Sequence, residues 1–398
     1  MASCNRKLTP AYGHVKACVT ALVARHGDPQ RGKDNSWLMQ HLRFITAIPP
    51  NVYAGSGCFV GIRTLTQGIR ELGVEIELTT PNVHFSPFTA SRLLFNETLQ
   101  RSGSRVSATV GFDLDGYRLA GQGGAPHIAA IKGVLGDAVR FEKGFTRASM
   151  AAQARLEMLH ARRADRVITI SRYCAERIEE LYGVRNAVVV PELIDLASWQ
   201  RLLLANPAPF ATGRFTVLCV CRFYPRKRVE LLLQAAASLV RRIPELEVRI
   251  VGGGPEATRL HRLRRELHLE GTVHWVGNAT PDALASEYNQ AHVFCLPSVQ
   301  EGFGIVFLEA MAAGKPIIAA RAAAVPEVVE HGMLVEPEKS EALAEAIAAV
   351  YADSELRRRL GAAGKIHVNQ YEMKRVAPQF LRACVETSPG REHCHGER

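Results

Sequence analysis

The chain has 398 residues, is 47% hydrophobic and 22% charged, and carries a net charge of +10. That length exceeds one ordinary core and points to two domains. The composition is that of a soluble globular protein, and no apolar run approaches the ~18 residues a membrane helix needs. Residues 1–200 hold 24 Lys/Arg against 17 Asp/Glu, whereas the remainder holds 25 against 22. The excess in the first half suits a phosphate-bearing substrate or an anionic membrane surface. No compact Lys/Arg run with interleaved aromatics appears, so a nucleic-acid partner is not expected. Nine scattered cysteines without a C-x-x-C pair read as reduced thiols and a cytoplasmic location.

Residues 1–38 form an N-terminal extension with little order expected. Its run "KACVTALVARHG" is short and begins late for a signal peptide. The first domain is expected over 39–205. It opens with the strand "LRFITAI", followed by a glycine turn in "VYAGSGCFVG", a helix over 58–72 ended by Gly73, and the strand "VEIELTT". The runs "RVSATVGF", "HIAAIKG", "DRVITIS" and "NAVVVPE" read as further strands, with helices over 149–163 and 172–181. The Pro- and Gly-rich "LANPAPFATG" reads as a linker.

The alternation then restarts in a second domain over 206–365. Its strands are "RFTVLCV", "LEVRIVG", "TVHWVG", "HVFCLP" and "PIIAA". Helices are expected over 229–242, 256–268, 281–290, 304–313 and 341–351. Cys219 and Cys221 lie two apart in a strand and read as small core residues on one face. A last helix over 365–385 falls mostly in the segment 366–398, and the tail "REHCHGER" reads as frayed. Such β-then-α alternation predicts two parallel, doubly wound sheets. Ligands of these sheets bind beyond the strand carboxyl ends, here in the cleft between the domains.

Four loops at strand carboxyl ends could carry chemistry. Gly55 and Gly57 open the first helix, where free N–H groups favour an anion, although a plain tight turn has the same pattern. "CRFYPRKR" places Arg222, Arg226, Lys227 and Arg228 after a strand; Arg222 can fork two phosphate oxygens and Lys227 adds a point charge. "VGGGPE" centres on Gly253 and fits either a nucleotide contact or a structural turn. In "SVQEGFGIVFLEAMAAGKP", Glu301 precedes a Gly302-Phe303-Gly304 turn into the helix expected over 304–313, which carries Glu309. Glu309 lies about 7–8 Å along the axis from Gly304. That spacing suits two carboxylates gripping the hydroxyls of one ligand, with helix N–H groups at its phosphate between them.

The segment "SVQEGFGIVFLEAMAAGKPIIA" resembles the E-x7-E segment of retaining family 4 glycosyltransferases. "GSG", "CRFYPRKR", "VGGGPE" and "VPEVVEHGMLVEP" extend the resemblance over nearly everything after Met39. It implies the GT-B fold, with two Rossmann-like domains facing across a cleft and a C-terminal helix crossing back to the first. It also implies transfer of a hexose-type sugar from a nucleoside-diphosphate sugar to a small-molecule, glycan or lipid-linked acceptor, with retention and with neither cofactor nor metal. Carried over by motif, Glu301 contacts the transferred sugar, and the amides around Phe303, Gly304 and Ile305 serve sugar and phosphate. Glu309 then binds the ribose, and Arg222 with Lys227 holds the diphosphate. The family has a histidine where "HIAAIKGVLGD" places Lys132, and His127 lies on the opposite strand face. Asp113 and Asp115 in "GFDLDG" look like the metal-binding D-x-D of the other glycosyltransferase fold, but two repeated halves favour cleft-lining or turn-capping roles. Two other readings are a sugar-nucleotide epimerase or phosphorylase, and a non-catalytic nucleotide-sugar-binding protein.

Overall fold

The computed structural model describes residues 40–48, 57–83, 87–100, 106–208 and 213–385. The extension 1–38, Gly55 and the His393–Cys394–His395 tail lie outside them. The first sheet contains β1 (His41–Ile45), β2 (Glu75–Thr79), β3 (Ala108–Phe112), β4 (His127–Ile131), β5 (Arg166–Thr169) and β6 (Val188–Val189). Its order is β2-β1-β3-β4-β5-β6, with every pair parallel. β3 and β4 are buried along their whole length, as strands covered on both faces must be.

The second sheet contains β7 (Phe215–Val220), β8 (Leu246–Val251), β9 (Val273–Gly277), β10 (Val293–Leu296), β11 (Ile317–Ala320) and β12 (Met333–Val335). Its parallel order is β12-β11-β10-β7-β8-β9. In both sheets the winding reverses at one point, between β1 and β3 in the first and between β7 and β10 in the second. Loops leaving those strands diverge there and open a crevice. The candidate loops at 221–228 and 297–304 follow β7 and β10, so both belong to the second sheet's reversal point.

The chain crosses between domains twice, side by side. Ile194 donates to the Tyr371 carbonyl at 3.0 Å, and Met373 donates to the Ile194 carbonyl at 2.9 Å. After the first crossing, helix Leu196–Ala205 packs on the second domain. There the Trp199 indole donates to the Glu309 carbonyl at 3.1 Å, and the Asn289 amide donates to the carbonyls of Leu203 and Asn206. The crossing thus comes about ten residues before the proline-rich run read as the linker, and the first two residues of that run still belong to the helix. The single terminal helix read over 365–385 is two helices. Ser354–His367 packs on the second domain, a 3-10 turn spans Val368–Tyr371, and Met373–Val385 lies on the first domain. Gly68 permits the return, since a Cβ there would stand 2.6 Å from Met373 Cγ and 2.9 Å from the Ala377 methyl.

Candidate active site

The loop after β7 and the loop after β10 are joined to each other. The Val299 amide donates to the Arg226 carbonyl at 2.9 Å, and the Lys227 ammonium donates to Glu301 Oε1 in a largely buried ion pair. Arg228 is committed elsewhere, to Glu338 and Glu230, and the Arg226 guanidinium lies 4.7 Å over the Tyr224 ring. Among the described residues Arg222 has no side-chain hydrogen bond or ion pair, which leaves its fork open for a ligand.

Gly304 precedes helix Ile305–Ala312 at φ 89°, where an L side chain is strained, and no side chain caps the first turn. The turn's N–H groups are therefore available beside the Lys227–Glu301 pair. Phe303 is buried against the Tyr371 ring at 5.3 Å, so its contribution to the crevice is its backbone. Ile305 meets Gly57 directly, because a Cβ on Gly57 would stand 2.9 Å from Ile305 Cγ2. The starts of the two helices thus face each other across the cleft, one from each domain.

Glu309 lies one turn into its helix, and its Oε2 accepts from the Tyr288 hydroxyl at 3.0 Å. Burial raises its pKa to about 7, and the Tyr288 hydrogen bond offsets this only in part. In the "VGGGPE" loop, Gly252 and Gly254 are the structural members. A Cβ on Gly252 would lie 2.0 Å from the Cys221 carbonyl, and one on Gly254 would lie 2.7 Å from the Phe223 amide nitrogen. Gly253 between them faces open space, with Asn278 Oδ1 at 3.9 Å as its nearest neighbour.

Lys132 stands just beyond β4, across from the Glu301–Gly302 turn; its carbonyl would be 3.1 Å from a Cβ on Gly302. Its ammonium lies 2.9 Å from Glu192 Oε2, with both side chains only 7% exposed. Glu192 comes from the "PELID" segment before the first crossing and was missed in the sequence, where it carries no motif. Lys132 is therefore half of a buried ion pair. The nearby histidine is occupied. His127 Nδ1 is 2.6 Å from Thr109 Oγ1, His127 Nε2 is 2.8 Å from His160 Nε2, and His160 Nδ1 is 2.5 Å from the Asp113 carbonyl. The carbonyl can only accept, so His160 donates from Nδ1 and accepts at Nε2. His127 then donates from Nε2 and accepts from Thr109. This pattern is that of two neutral rings, and burial lowers the pKa of His127 and takes that of His160 to about 4.

The D-x-D pair divides into two different roles. Asp115 is fully buried and accepts from Arg92 at 2.8 and 3.0 Å, from the Asn96 amide at 3.0 Å and from the Ala47 amide at 2.7 Å. Its oxygens are committed to protein donors, which does not fit a metal site. Asp113 accepts from the Lys132 amide at 2.8 Å, and burial raises it to about 6. Cys219 and Cys221 are buried with their sulfurs 4.0 Å apart, on one face of β7 as expected.

Three further contacts cross the cleft, and none of them was foreseen from the sequence. Glu327 accepts from the amides of Arg172 (2.9 Å) and Tyr173 (2.7 Å), so a second-domain carboxylate caps a first-domain helix. The Gln300 amide donates to Asp137 Oδ2 at 3.2 Å, and the Cys174 thiol approaches the Gly302 carbonyl at 3.6 Å.

Residues 204–367 match the family "Glycosyl transferases group 1". A GDP-mannose-dependent alpha-(1-6)-phosphatidylinositol monomannoside mannosyltransferase of Mycobacterium tuberculosis is 36% identical over 162 residues, 38% of this chain and 42% of the relative. The chain thus spans about half the length, or less, of the curated relatives it matches. Sucrose-phosphate synthase from Thermosynechococcus elongatus superposes with a TM-score of 0.71 at 23% identity, covering 86% of this chain and 98% of its own. Anabaena Alr3699/HepE in complex with UDP-glucose superposes with a TM-score of 0.63 at 18% identity, covering 87% and 99%. Likeness at these identities concerns the fold, which is GT-B.

Proposed function

Given that residues 204–367 match the glycosyl transferases group 1 family and that the chain has the GT-B fold, we propose that the protein is a retaining glycosyltransferase. It moves a hexose-type sugar from a nucleoside-diphosphate sugar to an acceptor held against the first domain. One observation carries this reading: Lys227 and Glu301 meet at the second sheet's reversal point, beside an uncapped helix start and in the same loops as Arg222, which is unpaired among the described residues. A sugar diphosphate needs that set, with a carboxylate for sugar hydroxyls and cations and N–H groups for phosphate.

In this reading the leaving diphosphate gathers negative charge as the glycosidic bond breaks. Arg222, Lys227 and the amides at Ile305 and Val306 neutralise it, and Glu309 takes the ribose hydroxyls. The acceptor attacks from the face the diphosphate leaves, so the anomeric configuration is kept. Lys132, fixed by Glu192, forms the first-domain wall and donates a hydrogen bond to sugar or acceptor. The chain's own cations supply the neutralisation, so transfer continues in EDTA. The enzyme's contribution is positioning and fixed charge.

A lipid-linked acceptor at an anionic surface is favoured by one patch. Phe145 is 84% exposed at the start of helix Gly144–Arg163, among exposed Arg140, Lys143 and Arg147. The half-exposed Phe88 opens the adjacent helix, which is joined to this one by the 3.2 Å Thr89–Ser149 contact. Aromatic and basic groups together suit an anionic interface. Among the described residues no helix is long and apolar enough to cross a membrane.

The test is a thermal-shift screen of nucleoside-diphosphate hexoses, followed by turnover with the donor it finds. Glu301→Gln is expected to bind that donor and lose transfer by roughly 10²–10³-fold. Unchanged activity in Glu301→Gln would leave a binding module, and conversion of the donor without acceptor would mark an epimerase. Failure of the protein to sediment with anionic vesicles at low salt would remove the membrane reading alone.

A further inference from the structure

A second cluster of chemistry lies outside the proposed transfer site, where the chain prepares to cross back. Glu330 and His331 follow the short helix Val325–Val328, and His367 ends helix Ser354–His367. Each offers one ligand atom, and these atoms all lie within 4.8 Å of one another. The two imidazole rings stand edge to face at 5.2 Å, and His367 Nδ1 is 3.7 Å from Glu330 Oε2.

We propose that Glu330, His331 and His367 form a binding site for a first-row transition-metal dication of the zinc class, independent of the sugar-transfer reading. Two imidazoles and one carboxylate form a mixed N/O donor set suited to such ions. Tetrahedral coordination at about 2.1 Å would bring the ligand atoms to about 3.4 Å apart. Glu330 and His331 are exposed, so closing that gap asks only for side-chain rotation at the surface. The backbone carrying them is fixed: a Cβ on Gly332 would stand 2.4 Å from Val329 Cγ1 and 2.9 Å from the Ile317 carbonyl. His367 packs edge to face on the Tyr371 ring at 5.6 Å, and the exposed Gln370 amide, 3.1 Å from Nδ1 and 2.9 Å from Nε2, is the group an ion would displace. Exposure of the other two ligands leaves room for water to complete the shell.

The site's position gives it a consequence. Its first segment begins three residues after Glu327, which caps the first-domain helix, and its second runs into the 3-10 turn that pairs with Ile194. A bound ion would tie these two segments together at the base of the cleft.

The test is equilibrium dialysis of the full chain against micromolar ZnCl₂, with bound zinc counted by mass spectrometry. A variant lacking the sequence-distant tail donors (His393→Ala, Cys394→Ala, His395→Ala) is run alongside. The inference predicts one zinc in that tail variant, lost when His331→Ala is added. Because His331 is exposed, this change spares the fold. Co²⁺ substitution of the tail variant is expected to give d–d absorption that His331→Ala abolishes. Equal zinc with and without His331, or zinc that disappears with the tail donors alone, would overturn the assignment.

Discussion

Lys227 and Arg222 share one loop yet differ in their partners. Lys227 is paired with Glu301, whereas Arg222 has no side-chain partner among the described residues. Arg222→Ala is therefore expected to weaken donor binding about tenfold or more at nearly unchanged melting temperature, because no side-chain hydrogen bond or ion pair among the described residues is lost. Calorimetric titration of the donor checks this. Lys132 and Glu192 behave in the opposite way. Removing either alone strands a buried charge, at a cost of roughly 3–5 kcal/mol. Lys132→Met with Glu192→Gln should recover most of that loss in urea denaturation, but not transfer activity. Full recovery of activity would place Lys132 outside the site. Glu309 carries a pH signature. Its folded pKa, raised to about 7, exceeds the ordinary value of 4.5, so its contribution to stability is present below pH 4.5 and is lost as pH rises through 7. Replacing it by Gln should therefore raise stability relative to wild type by roughly 2 kcal/mol more at pH 8 than at pH 5. Equal differences at the two pH values would contradict that burial.

At the scale of elements, Gly68 and the helix Met373–Val385 depend on one another. Gly68→Leu would push a side chain into Met373 and Ala377, and overpacking of this kind costs roughly 1–3 kcal/mol. Urea denaturation is expected to show that loss, with relief in Gly68→Leu/Met373→Ala. The alternation of strands and helices was readable because apolar runs and glycine stops recur along the chain. The terminal break was not readable, because "HVNQY" has neither Gly nor Pro and its turn is set by pairing with Ile194. β12 is only three residues long, and helix Phe88–Thr98 lies in a stretch without a clear apolar period; neither was foreseen. In the site, Glu301, Arg222, Lys227 and Glu309 stood out because glycines and a crowd of cations flank them. Glu192 has plain surroundings in the sequence, and the quoted stretches that hold Asp137 and Glu327 give no sign of their roles; all three acquire meaning only from partners 60 to 163 residues away.

For the whole molecule, the cleft is bridged by the Glu327 cap, the Gln300–Asp137 hydrogen bond and a buried apolar cluster continuous from Ile170 and Cys174 to Phe303 and Tyr371. Both crossings run through one seam at Ile194 and Tyr371, the place for a hinge. Glu327→Ala removes acceptors from two helix N–H groups and should shift the balance toward a more open cleft. Its radius of gyration by X-ray scattering is expected to exceed that of the wild type and to fall back when donor is added. The crevice at the second sheet's reversal point is the proposed donor site, and titration of nucleoside-diphosphate hexoses into wild type and into the Arg222→Ala/Lys227→Ala double variant probes it. One donor binding 1:1 to wild type, and at least a hundredfold more weakly to the variant, is the predicted result. Equal affinity in the two proteins, or no binding of any donor at millimolar concentration, would contradict the assignment of this crevice.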